Sequence, residues 1–466
     1  MQYTKEQQKV INHKLDKHAL VSAVAGSGKT QTLIARIKYL IDNKVQPNKI
    51  LVLMFNKSIQ MDFRNRLISD LGFDLASQVN IKTTHSLGFQ FLKSLEKAGL
   101  VNFKKLLTND FEINKILDKN LRKAQLEHKV SKRVDLERVA EFKDNVSILK
   151  STLSLKHKKI DELKPKDKKL LYRVFELYQE ELEKQGILTF DDMLYKVCDI
   201  LSKNKAVAEK AKGLYSHIIV DEYQDINEVQ QYFIKSLVDE TTAVMVVGDV
   251  DQSIYGWRGS TPYYMLEGFK KDFPDAKYFT LSYTFRYGDL ISLMANNVIT
   301  NNTKRHKNLC VTYPNLDRKS GVSINTDPNN IVLSLKELLS QGVPISEMAV
   351  LVRKYNSTTV FELSCLYNDL PYRVEEGKNI FEEPLFLAIY GYLMLFDNAK
   401  GFKNYEQQDR IKIVKAMLDY PSLYLQRDVK ESLAQEISKN LIKAPDFIAF
   451  LAENVDKVFK EKNIKK

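Results

Sequence analysis

Ala23-Val24-Ala25-Gly26-Ser27-Gly28-Lys29-Thr30 decides how the chain is read. His18 to Ser22 (HALVS) leads into it and predicts a short strand. Gln31 to Leu40 leads out, with Leu33, Ile34, Ile37 and Leu40 at helical spacing. Strand, glycine-rich turn and helix, in that order, make a phosphate-binding loop. Gly26 and Gly28 let the backbone curl so that several N–H groups face one point, and the helix N-terminus adds its positive end. A polyphosphate is then expected against Ala25, Gly26, Ser27, Gly28 and Gln31. Lys29 is placed to reach the β- and γ-phosphates of a bound nucleotide, and Thr30 to offer its hydroxyl to Mg²⁺. Ala23 stands where the usual pattern has its first glycine, and its small side chain keeps the turn. A chance Gly-Lys-Thr in an ordinary turn is the plainer alternative, and the agreement of motif with context weighs against it.

Working outward, Ile50 to Phe55 (ILVLMF) reads as a buried parallel strand, followed by Asn56-Lys57-Ser58. Ile81 to Ser86 (IKTTHS) repeats the arrangement and puts Thr84 and His85 at a strand end, where a nucleic-acid backbone is one partner and helix capping the plainer one. Ile218 to Asp225 (IIVDEYQD) is a second anchor. Adjacent carboxylates at the end of an apolar strand suit two jobs: Asp221 holds Mg²⁺ and Glu222 polarises the attacking water. Ala243 to Ser260 is a third strand and a loop. In it Gln252 senses the γ-phosphate or water, and Tyr255, Trp257 and Arg258 offer stacking faces for single-stranded bases. Gly256 and Gly259 favour the loop over a core aromatic pair. Upstream, residues 3 to 14 predict an amphipathic helix with Thr4 as N-cap and Gln7 on its face.

The 466 residues suffice for about three domains. A net charge of +12 biases the chain toward a polyanionic partner. Cys198, Cys310 and Cys365 lie far apart, which argues against a disulfide framework or zinc site and fits a cytoplasmic location. No apolar run is long enough to span a bilayer, so no membrane partner is expected. Residues 88 to 185 are rich in Lys, Glu and Leu, and predict an inserted helical subdomain. Its basic stretch 150 to 169 is as compatible with a solvated face as with a nucleic-acid contact. Further strands are expected at Tyr278–Tyr287, Gly321–Ile324, Met348–Arg353 and Tyr372–Glu375. From Pro384 the pattern is helical, ending in a lysine-rich helix at Val455–Lys466.

In motif order and spacing, residues 3 to 400 resemble the UvrD/Rep/PcrA-type superfamily 1 DNA helicases. AVAGSGKT resembles that family's motif I, TTHS motif Ib, IIVDEYQDIN motif II, VVGDVDQSIYGWRGS motif III and LSYTFRY motif IV. The resemblance implies an α/β fold: a RecA-like P-loop domain (1–87 and 186–277) interrupted by the helical insertion 88–185. A second, incomplete RecA-like domain (278–383) and a partial helical subdomain (384–466) follow. It implies that Gln7 contacts adenine, Phe285 stacks on it, and Arg286 is an arginine finger. Lys29, Glu222, Gln252 and Arg286 form the catalytic set, with Thr30 and Asp221 on the metal. Thr84, His85, Phe190, Tyr255, Trp257 and Arg258 touch DNA. The implied activity is ATP-dependent 3′–5′ movement on single-stranded DNA, or on duplex with a 3′ single-stranded tail.

Three departures accompany the likeness. Thr284 replaces the family's usual Asn, Met54–Ser58 (MFNKS) is one residue short for motif Ia, and residues 384 to 466 contain neither motif V nor motif VI. The chain is therefore expected to stop inside the inserted helical subdomain, as a truncated form, as a split protein whose missing motifs a second chain supplies, or as a family member with a reduced second domain. The rival expectation is an ATP- and DNA-binding loader, or half of a split helicase, with little turnover by itself. A third is a remodelling ATPase acting on RNA or protein–DNA complexes.

Overall fold

The computed structural model describes residues 3–155, 157–314, 316, 320–354, 357–375, 380–396, 402, 404–420 and 427–440. The expected helix at Val455–Lys466 lies outside them, as does Lys156 of the basic stretch. The described residues belong to two compact units, Met1–Val322 and Ser323–Lys466.

Short apolar runs with both faces buried become parallel strands when helices cover both sides. In the first unit these are β1 (Ala19–Ala23), β2 (Ile50–Met54) and β3 (Asn80–Thr83). A separate short pair follows, β4 (Lys105–Leu106) with β5 (Ile187–Leu188). The main sheet resumes with β6 (His217–Val220), β7 (Ala243–Gly248) and β8 (Lys277–Leu281), and a last pair is β9 (Tyr283–Thr284) with β10 (Val311–Thr312). Six of them form one sheet in the order β3-β2-β6-β7-β1-β8, every pair parallel. Ala19 pairs with Met245 on one side and Lys277 on the other. Parallelism brings every strand's C-terminal end to one edge. The segments after Ala23, Met54, Thr83, Val220, Gly248 and Leu281 therefore meet there, where open α/β sheets bind ligands.

Alternation along the strands builds two cores. Leu20, Leu53, Ile218, Val220, Val244 and Val246 join Phe233 and Phe269 on one face. Val21, Val52, Ile219, Met245 and Val247 join Leu33, Ile37 and Phe63 on the other. A third core belongs to the insertion, where the helices Asp110–Glu127, Leu136–Lys150 and Pro165–Gln185 bury Leu117, Leu121, Leu149, Leu171 and Tyr178 together. The β4–β5 pair ties the start of this insertion to its end.

Two expected boundaries and three expected strands are corrected. Residue 88 falls inside the helix Thr84–Lys97, whose Leu87 and Leu92 pack under the main sheet, so the separate helical core begins later. Residue 278 falls inside β8, which completes the first sheet beside β1. Strands at Gly321–Ile324, Met348–Arg353 and Tyr372–Glu375 are not formed: a strand needs a ladder partner, and none pairs with these segments among the described residues. In the second unit, helices Pro328–Ser340 and Thr359–Tyr367 share a small core of Val332, Cys365 and Leu370. Helices Pro384–Phe396, Gln407–Asp419 and Arg427–Asn440 share another. No described helix is long and apolar enough to cross a membrane.

Candidate functional site

The turn after β1 is shaped by two glycines in the left-handed region, Gly26 and Gly28, both at φ 74°. Gly28 is the N-cap of the helix Lys29–Asp42 and makes no side-chain capping bond, so the first amides of that helix remain available to a ligand. Ala25, Gly26, Ser27, Gly28, Lys29, Thr30 and Gln31 line a cleft of about 490 Å³ together with Arg66, Glu222, Gln252, Phe285 and Arg286. Eight of the nine expected nucleotide-site residues, all but Gln7, thus converge in space with three of the catalytic ones from other loops, Glu222, Gln252 and Arg286.

Lys29 Nζ donates to Glu222 Oε2 at 3.0 Å, which joins the loop after β1 to the loop after β6. These strands are not neighbours, because β7 runs between them. Glu222 has φ 50°, a strained conformation for a non-glycine residue, which costs about 1–2 kcal/mol. That backbone turn aims Glu222 at Lys29 and leaves Asp221 behind it. Asp221 is buried, accepts from the Glu222 amide at 3.0 Å and does not itself line the cleft wall. Burial first, then the neighbouring Glu222, pushes its carboxyl up to about 6. Thr30 lines the cleft and Asp221 lies just behind Glu222, where a divalent cation would favour the ionised form of such a buried acid.

Gln224 was not singled out by the sequence. Its amide nitrogen donates to Glu222 Oε2 (2.9 Å) and Asp225 Oδ2 (3.1 Å), and its oxygen accepts from the Asp249 amide (3.0 Å). It thereby fixes the Glu222 carboxylate to the loop after β7. In that loop Gln252 Nε2 donates to Asp249 Oδ2 at 2.6 Å.

The segment after β8 closes the other side. The Phe285 amide donates to the Gly26 carbonyl at 2.9 Å, and the Phe285 ring packs on Tyr313 at 4.7 Å. Gln7 is buried rather than displayed on the face of its helix, Lys5–Ile11. It completes a capping box with Thr4 and donates to the Ser27 carbonyl at 3.2 Å. Arg36 secures that helix from below, donating to the carbonyls of Ile11, His13 and Lys14. Burial pulls the Arg36 guanidinium down to about 10. A lone arginine within an apolar helical stretch carried no sequence signal for this role.

The aromatic expectations fall in two patches. His85 stacks on Phe190 with ring centres 4.3 Å apart, and burial holds the His85 imidazole below its usual range despite Asp191. Phe190 is 54% exposed. In the loop after β7, Tyr255 packs on Phe55 (4.8 Å), and the Arg258 guanidinium lies 4.5 Å from the centre of Trp257, which is 56% exposed. Thr84 departs from expectation: it is buried, and Thr83 with Ser86 caps the helix.

Residues 3–274 match the family model described as the UvrD/REP helicase N-terminal domain, which is more than half of the chain. The chain belongs to this family. Among similar proteins are the ATP-dependent DNA helicase PcrA of Staphylococcus epidermidis, 27% identical over 474 aligned positions, and that of Staphylococcus aureus, 26% identical. In both comparisons 95% of this chain and 63% of the relative are covered. The ATP-dependent DNA helicase Rep of Buchnera aphidicola is 29% identical over 395 positions, covering 81% of this chain and 58% of the relative. The chain thus spans about 60% of the length of these relatives. Within the UvrD/REP match lie the turn at Gly26–Thr30, the pair Asp221 and Glu222, and the loop of Gln252 to Arg258; Phe285 and Arg286 lie beyond it.

Proposed function

We propose that this chain carries the ATP-hydrolysing body of a DNA motor that moves 3′ to 5′ along single-stranded DNA and opens duplex bearing a 3′ tail. The observation that carries the reading is the Lys29–Glu222 pair inside the Gly26–Thr30 cleft. It sets a phosphate-binding cation and an acid able to orient water within one hydrogen bond of each other. The names of the relatives support ATP and DNA as substrates. The family likeness supports the direction of travel.

In this reading the amides of Gly26 to Thr30 and Lys29 hold the β- and γ-phosphates, Phe285 stacks on adenine, and Gln7 holds the loop through Ser27. Thr30 and Asp221 would hold Mg²⁺, which supplies charge neutralisation between the phosphates. Lys29 exchanges Glu222 for phosphate, and the released Glu222, kept in place by Gln224, accepts a proton from the attacking water. Arg286 neutralises charge that develops on the γ-phosphoryl group, a contribution worth ~10³-fold or more in related chemistry. Gln252, tied to Asp249, carries the state of that group to the Tyr255–Arg258 loop. Trp257 and Phe190 present the exposed rings on which bases stack.

Steady-state ATPase with and without single-stranded DNA tests the reading. Wild type should hydrolyse ATP and be stimulated by DNA; Lys29→Ala should lose at least about 100-fold in kcat while retaining DNA binding without ATP. Full activity in Lys29→Ala contradicts it. Nucleotide and DNA binding without turnover in wild type would instead favour a loader, or one half of a motor completed by a second chain. Substrates with 3′ or 5′ tails separate the two polarities, and RNA in place of DNA addresses remodelling of other substrates.

A further inference from the structure

Asp251, next to Gln252, is drawn into a largely enclosed ion pair that the proposed chemistry does not use. Its two oxygens receive the Arg305 fork: Nε at 3.2 and 3.0 Å, and Nη2 at 2.8 Å. The side chains are only 10% and 9% exposed. Asn302 Nδ2 adds a third donor, to Oδ1 at 3.0 Å. Arg305 also donates to the Asn308 carbonyl at 2.6 Å, and the Asn308 side chain reaches the Ser22 carbonyl at 3.4 Å and the Ser282 hydroxyl at 2.8 Å. Ser282 in turn donates its amide to Glu6 at 2.7 Å. Glu6 neighbours Gln7 on the helix that holds the Ser27 carbonyl. A continuous polar chain therefore runs behind β1, from the turn of Gln252 to the helix of Gln7.

The turn is small. Asp249 Oδ1 accepts from the Asp251 amide (3.1 Å), the Asp249 carbonyl accepts from the Gln252 amide (3.0 Å), and Asp249 Oδ2 accepts from the Gln252 side chain. Gln252 faces the cleft, whereas Asp251 is held from outside by Arg305. A bidentate guanidinium fixes direction as well as distance, which a lysine ammonium does not. Arg305 lies in the stretch Ala295–Leu309, beyond the residues that match the family model.

We propose that Arg305 is a positioning residue for Gln252: through Asp251 it fixes the turn so that the Gln252 amide meets the γ-phosphate, and it ties that turn to the helix Asp289–Ile299 and its sequel. The proposal rests on the ATP-hydrolysing reading above. Removing one partner of a buried pair destabilises strongly, so the informative variants keep the charge count even. They are Arg305→Lys, and the double variant Asp251→Asn with Arg305→Gln.

The experiment measures kcat, KM and the affinity for a fluorescent non-hydrolysable ATP analogue, in wild-type and Gln252→Ala backgrounds. Arg305→Lys should lower kcat about tenfold in the wild-type background and no more than about twofold in the Gln252→Ala background, with analogue affinity within about threefold throughout. The double variant should behave alike. Equal losses in both backgrounds overturn the proposal, because a purely structural role does not depend on Gln252. Unchanged kcat in Arg305→Lys overturns it as well, while the parent reading stands as long as Lys29→Ala is inactive. Wild-type protein without turnover overturns the parent reading and this proposal with it.

Discussion

Gly26→Ala tests the closest approach in the site. The native φ of 74° costs alanine about 1 kcal/mol or more. Its Cβ would also lie 2.5 Å from Thr284 Oγ1 and 2.6 Å from Arg286 Cβ. Neither neighbour can swing aside, since Thr284 is fully buried and the Arg286 atom is bound to its backbone. Overpacking of this kind costs about 1–3 kcal/mol. Drawing residues 284–286 back instead breaks the Phe285–Gly26 hydrogen bond, worth about 1 kcal/mol. With the backbone cost, the total is about 2–4 kcal/mol. Gly99 supplies the control, because its φ is 71°, the Leu100 amide donates to the Leu95 carbonyl across it as in a left-handed helix cap, and a Cβ there meets nothing within 4 Å, so Gly99→Ala isolates a left-handed backbone cost. Urea unfolding, followed by far-ultraviolet circular dichroism, should find Gly26→Ala less stable than Gly99→Ala by about 1–3 kcal/mol. Binding of the ATP analogue should weaken only in Gly26→Ala. Equal stability and equal analogue affinity in the two variants would refute the packing of Thr284 and Arg286 on the loop.

Trp257→Ala should weaken single-stranded DNA binding by about 1–3 kcal/mol, the range for loss of one stacked base, in a fluorescence anisotropy titration at fixed salt; unchanged affinity contradicts a stacking role. Stability should fall with acid through His217. Its imidazole is buried, bonded to Ser216 and the Leu15 carbonyl, and held down to about 4 by burial. Between pH 6.5 and about 4 the unfolded chain takes up a proton that the folded one refuses, so stability present above pH 6.5 is lost as pH drops, by up to about 3 kcal/mol. His13, His18 and His306 are depressed by burial in the same direction. Urea titrations at pH 7 and pH 5 should show the loss, and His217→Gln should reduce it; an identical pH slope in that variant contradicts the assignment.

The sheet was legible because its strands are short apolar runs ending in polar loops, and because a strand–turn–helix around Lys29 has few other readings. What stayed hidden depends on long-range geometry. Periodicity cannot tell that β8 returns to the first sheet beside β1, since a strand's sequence does not name its partner. The same blindness produced three strands in residues 321–375 that lack ladders among the described residues. Lys150 opened a basic stretch and read as a surface charge. It is instead buried at 2.8 Å from Asp192, with its ammonium over the Tyr178 ring. Gln224 and Arg305 were invisible for a related reason: their roles rest on hydrogen bonds to residues brought near by the fold. Thr84 and Thr83 show the limit at single-residue scale, where a one-position shift in the cap turns an exposed hydroxyl inward.

A crystal of the protein grown with a non-hydrolysable ATP analogue and magnesium tests the central claim most directly. The account predicts the triphosphate along Gly26 to Thr30, with Lys29 moved from Glu222 to phosphate and the metal between Thr30 and Asp221. Analogue bound elsewhere, or a Lys29–Glu222 pair left intact beside it, would contradict the account.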